Sequence, residues 1–101
     1  MLHLVVNSHN PEYCAFRGEE ERRALTGGFD RLGDLAAERG VEIQGPWFSR
    51  VSHEVFVVVD APDAHAVEDL VAASGLVSRT TTRILPLVTQ AQLREALGTD
   101  G

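Results

Sequence analysis

The chain has 101 residues, enough for one domain with a real core and too few for two, so we read residues 1–101 as a single unit. Fifteen acidic residues outnumber nine arginines and there is no lysine, giving a formal charge of -6. That balance lacks the basic patch that nucleic acid or an anionic membrane surface requires. No apolar run approaches the length of a membrane span or a secretory core, and a single cysteine allows no internal disulfide. A cytoplasmic location is therefore expected.

The first predicted strand covers Leu2 to Ser8 and is followed by the connector SHNPEYCAFRG. A helix is then expected from about Glu19 to Arg39. Three leading glutamates suit its positive N-terminal end, Gly40 suits its stop, and Leu25, Phe29, Leu32 and Ala36 form its apolar stripe. Gly27-Gly28 costs that helix roughly 1 kcal/mol per residue against Ala. The pair either lets the helix approach the sheet or breaks it.

Val41 to Arg50 reads as a second strand interrupted at Gly45-Pro46, where a bulge or an edge position is expected. A short hairpin leads to the strongest strand signal, HEVFVVVD from His53 to Asp60. Ala61-Pro62-Asp63 opens a second helix with Val67, Leu70 and Val71 inward, and Gly75 closes it. A fourth strand is expected over about Ser78 to Val88. Thr89 and Gln92 stand at capping-box spacing for a short C-terminal helix around Ala91 to Leu97.

The order β-α-β-β-α-β defines a ferredoxin-like α+β sandwich with an antiparallel sheet of order 4-1-3-2. Both helices cover one sheet face. The other face carries alternating apolar residues that need cover, which a homodimer forming a dimeric α+β barrel would supply.

In this topology the end of the first strand lies beside the start of the third. His9 and His53 therefore reach one rim, with Glu12 and Cys14 in the loop leaving it and Trp47 arriving on the second strand. His3 and His65 belong to the opposite rim. Two imidazoles, a thiolate and a carboxylate make a metal-ligand set, His9, Glu12, Cys14 and His53, for Ni²⁺, Zn²⁺ or Cu²⁺. The pattern follows no fixed ligand spacing, and strand parity alone leaves open whether His9 and His53 share a face. Cys14, next to Ala15 and Phe16, also reads as a small packed residue that pins the loop down.

The segment FVVVDAPDAHAVEDLVAASGL, with ILPL after it, resembles a group of small bacterial ferredoxin-like proteins in the dimeric α+β barrel superfamily that includes a nickel-binding member. The resemblance spans roughly residues 41 to 88 and rests on Trp47, the strand leading into Ala61-Pro62, the helix, and Gly75-Leu76. That group carries a His soon after the Trp, where this chain has Phe48 and Ser49. The resemblance implies the barrel fold and supports metal binding. Monooxygenases of the same superfamily suggest a second reading, with Asn7 and Trp47 binding a cofactor or oxygen and His65 as a haem-side residue. A third reading is a non-catalytic module whose open face dimerises or takes a small apolar ligand.

Overall fold

The computed structural model describes residues 1–78 and 80–98. The chain runs β1 (Leu2–Ser8), α1 (Glu19–Glu38), β2 (Glu42–Ser49), β3 (Glu54–Asp60), α2 (Ala64–Ser74), β4 (Thr81–Leu87) and α3 (Gln90–Leu97). The sheet order is β2-β3-β1-β4, with every neighbouring pair antiparallel, so the expected ferredoxin-like sandwich is the observed one. The fourth strand is shorter than the span from Ser78. Leu76–Ser78 forms a 3-10 turn, and position 79 lies outside the described residues, as do residues 99–101 of the single unit expected from length.

Alternation fixes what each face carries. Val5 on β1 and Val55, Val57 and Val59 on β3 point to the helices, where Leu25, Phe29, Leu32 and Ala36 of α1 and Val67, Leu70 and Val71 of α2 complete the core. Gly28 lies where α1 crosses the turn after α2. A Cβ at Gly28 would stand 2.5 Å from Leu76 Cδ2, so this glycine serves close approach and the helix continues through it. Arg31 Nε donates to the Ser74 carbonyl at 2.8 Å and ties α1 to the end of α2.

Helix ends follow local chemistry. Asp63 caps α2 by accepting from the Ala66 amide at 2.8 Å, and Gly75 leaves the helix in a left-handed conformation at φ 83°. Thr89 and Gln92 form the reciprocal capping box of α3. In β2 the register slips between Gln44 and Trp47, and Gly45 at φ 100° bends the strand where a Cβ would meet the Phe56 carbonyl at 3.0 Å.

The second sheet face carries Leu4, Val6, Trp47, Phe56, Val58 and Leu85 by the same register. Trp47 is 54% exposed and Leu85 38%. Helix α3 buries none of its residues and leaves Leu93 and Leu97 open to solvent.

Candidate metal centre

The centre starts from one backbone hydrogen bond. Asn7 pairs with Val55 and Ser8 with Glu54 in the β1–β3 ladder, and the His9 amide then donates to the His53 carbonyl at 3.2 Å. Residues directly opposite one another across antiparallel strands present their side chains on one face. His9 therefore follows Val5 and Asn7 onto the helix side, and His53 joins it there. His9 Nε2 lies 3.4 Å from His53 Nδ1, with the ring centroids 5.2 Å apart and the planes nearly perpendicular.

His53 holds this position at a conformational cost. It closes the β2–β3 hairpin at φ 57°, in the left-handed region usually given to Gly or Asn. Strain of this kind persists where the surroundings hold the residue in place, and it concentrates at functional sites.

Cys14 arrives by a 3-10 turn over Pro11–Tyr13, which Asn10 leads into from extended backbone. The Cys14 amide closes the turn on the Pro11 carbonyl at 3.2 Å, and the Cys14 carbonyl accepts from Arg17 at 2.9 Å. The loop thus folds back toward the rim and leaves the thiol half-buried. Ligand atoms of His9, Cys14 and His53 all lie within 4.8 Å of one another. Around a tetrahedral ion with metal–ligand bonds of about 2.0–2.3 Å, donor atoms sit roughly 3.3–3.8 Å apart. The two imidazoles already stand at that separation. The thiol is within about 1 Å of it, a distance one rotamer adjustment covers.

Burial pushes the His9 imidazole below its ordinary pKa, and the like charge of His53 adds to the shift. The shift favours the neutral ring, the form whose lone pair binds a metal. His9 Nδ1 is buried without a hydrogen-bond partner among the described residues. A small cavity of about 10 Å³, enough for one water-sized group, is shared there by His9, Glu21 and Thr80.

The remaining candidates lie apart from this trio. Glu12 is exposed on the 3-10 turn and outside the group of mutually close ligand atoms. Asn7 is fully buried on the helix side, its side-chain oxygen accepting from Thr82 Oγ1 at 2.7 Å. Trp47 opposes Phe56 on the other face of the sheet, so one chain does not bring Asn7 and Trp47 into one pocket. His65 is exposed on α2. His3 is fully buried at the far end of β1, with both ring nitrogens unpartnered among the described residues.

The structure adds residues that sequence reasoning missed. A cavity of about 290 Å³ opens beside the trio, walled by Ala15, Phe16, Leu25, Phe48 and Val55. The Arg50 guanidinium lies over the Phe16 ring, 4.6 Å from its centroid, and Phe48 packs edge-on against Phe29 at 5.6 Å. The bulge at Gly45-Pro46 hides which of Trp47 and Phe48 faces the helices, so alternation read from the sequence could not assign Phe48 to this wall.

Fold and site together define a small ferredoxin-like α+β protein with a His/Cys/His cluster capable of holding a metal ion. A family profile described as "Domain of unknown function (DUF3303)" matches residues 12–100, and the chain belongs to that family. Among solved structures, the de novo designed protein Ferredog-Diesel is similar at a TM-score of 0.54 and 17% identity, over 84% of this chain and 83% of that one, which is a likeness of fold alone. Comparison with curated proteins finds no match. Among the described residues, no helix is long and apolar enough to cross a membrane.

Proposed function

We propose that this protein binds a divalent late transition metal ion, Ni²⁺, Zn²⁺ or Cu²⁺, on His9, Cys14 and His53. The observation carrying this reading is the mutual closeness of three ligand atoms, within 4.8 Å, from three separate stretches of chain. Two neutral imidazoles and one thiolate suit borderline ions and give Mg²⁺ or Ca²⁺, which prefer oxygen, little to bind. A reducing compartment such as the cytoplasm keeps Cys14 available as a thiol. Nickel draws additional support from the sequence resemblance to a nickel-binding group, although His after Trp47 is replaced here by Phe48-Ser49. Glu12 would join only if its turn moved inward.

The assembly we propose is a homodimer closing the apolar sheet face, since Trp47, Leu85 and the neighbouring Phe56 and Val58 otherwise meet water. Light scattering on a dilution series, with Trp47→Glu as the interface variant, reads this directly. The monooxygenase alternative gains nothing from Asn7 and Trp47 in one chain, because they sit on opposite faces.

Metal analysis of protein purified without a His tag tests the main reading. One equivalent of ion is expected in the wild type and none in His9→Ala or Cys14→Ser. Metal-free wild type showing no thermal shift with added Ni²⁺, Zn²⁺ or Cu²⁺ overturns it.

A further inference from the structure

The three candidate ligands do not enclose an ion. Borderline ions take at least four donors, and a centre with three protein ligands keeps a position for an exogenous one. His9, Cys14 and His53 all line the 290 Å³ cavity. A donor supplied from that cavity would approach the trio directly. We infer that the cavity is a ligand site in which a small aromatic or aliphatic monoanion coordinates the metal with its anionic head and buries its apolar body among Ala15, Phe16, Leu25, Phe48 and Val55. This inference rests on the metal-binding reading above and names the ligand class that goes with it.

Size, polarity and charge select that class. At about 30 Å³ per water in the liquid the volume corresponds to roughly ten waters, so the occupant has about ten non-hydrogen atoms and is not a nucleotide or a peptide. The walls are apolar and partly aromatic, and Phe48 is held in place by its edge-on contact with Phe29. A body able to stack is therefore favoured. A divalent ion neutralised by one thiolate keeps one unit of positive charge, which favours an anionic over a neutral donor. Arg50 adds a second positive group at the cavity edge, fixed over Phe16. Glu54 also borders the cavity, but it alternates with Val55 and its carboxylate belongs to the other sheet face.

Phenylacetate and cobalt are the probes. Co²⁺ is added to the untagged full chain, and the thiolate-to-cobalt charge-transfer band reports coordination by Cys14. Phenylacetate is then titrated against the cobalt d–d bands, with phenylacetamide as the neutral analogue. Saturable spectral change is expected with phenylacetate, together with affinity at least about tenfold above that of the metal-free protein or of the amide. Thr26 borders the cavity from an exposed position on α1, so Thr26→Trp fills the mouth without touching the core. That variant should bind Co²⁺ as before and phenylacetate at least about tenfold more weakly. A thiolate band left unchanged by phenylacetate overturns this inference alone, as does equal binding to metal-free protein. Absence of any thiolate band overturns the metal reading and this inference with it.

Discussion

His9 and His53 stand opposite one another one step beyond the last strand pair of the β1–β3 ladder, joined by a backbone hydrogen bond and with ring nitrogens 3.4 Å apart. The backbone bond matters as much as the ring contact. It places both imidazoles on the helix side of the sheet, where Cys14 can reach them, and it does so through a residue held in a left-handed conformation.

That conformation makes a separable prediction for His53→Gly. A non-glycine residue at φ 57° carries a cost of about 1 kcal/mol or more that glycine does not. The metal-free variant should match or exceed wild-type stability by up to about 1 kcal/mol, while losing a metal ligand and at least about 100-fold in affinity. Denaturant midpoints and metal titration of His53→Gly and His53→Ala check this. If glycine destabilises as much as alanine does, the left-handed backbone is not the source of strain.

The His9 imidazole sets a pH dependence in the metal-free protein. Its pKa in the folded state lies below the ordinary value of about 6.5 that applies when unfolded. Between those two values the unfolded chain binds more protons, so stability is fully present above about pH 6.5 and declines as pH falls through the folded value. His9→Gln should remove that decline. Melting temperatures measured in metal-free buffers between about pH 5 and 7.5 should fall further toward acid for wild type than for the variant, so that the difference between them changes across the range. A difference between the two that stays constant across the range contradicts the assignment to His9.

His3 gives a third expectation. It is fully buried, opposite Val59 and Pro86, with neither ring nitrogen hydrogen-bonded among the described residues. A buried polar group without a partner costs about 1–3 kcal/mol, so His3→Leu should raise stability by about 1 kcal/mol or more once repacking is allowed for. His3 lies six residues from His9 along the strand, about 20 Å at strand spacing, so metal affinity should not change. Chemical denaturation reads the first effect and a metal titration the second. Destabilisation by His3→Leu would mean that the ring has a polar partner.

The fold was legible in the sequence because its signals were local and agreed with one another. The valines of β3, the Asp63 cap and Gly75 stop of α2, and the Thr89–Gln92 box each marked an element, and the order of elements admits few topologies. The rim shared by His9 and His53 followed from that topology. Their common face did not, because it depends on which residues pair across β1 and β3, and register is set by a hairpin and core not visible in either strand alone. Phe16, Phe48 and Arg50 were hidden for related reasons. A loop residue has no periodicity to read, and the bulge after Gln44 resets the alternation of β2.

Two glycines of α1 that look equivalent in sequence should respond oppositely to alanine. Either substitution favours the helix by up to about 1 kcal/mol, because glycine loses more backbone freedom on folding. At Gly33 a Cβ meets nothing within 4 Å, so Gly33→Ala should keep that gain. At Gly28 the same Cβ falls 2.5 Å from Leu76 Cδ2 and 3.0 Å from its Cγ, and Leu76 is itself buried against the core. Leu76 is only 2% exposed and packed within the core cluster, which leaves it little open space to swing into, so the overpacking cost of about 1–3 kcal/mol should exceed the helical gain. Gly28→Ala is therefore expected to lower the melting temperature and Gly33→Ala to raise it, as thermal unfolding of the two variants beside wild type will read. Stabilisation by both would show that α1 can move away from the turn after α2, and that Gly28 does not set their approach.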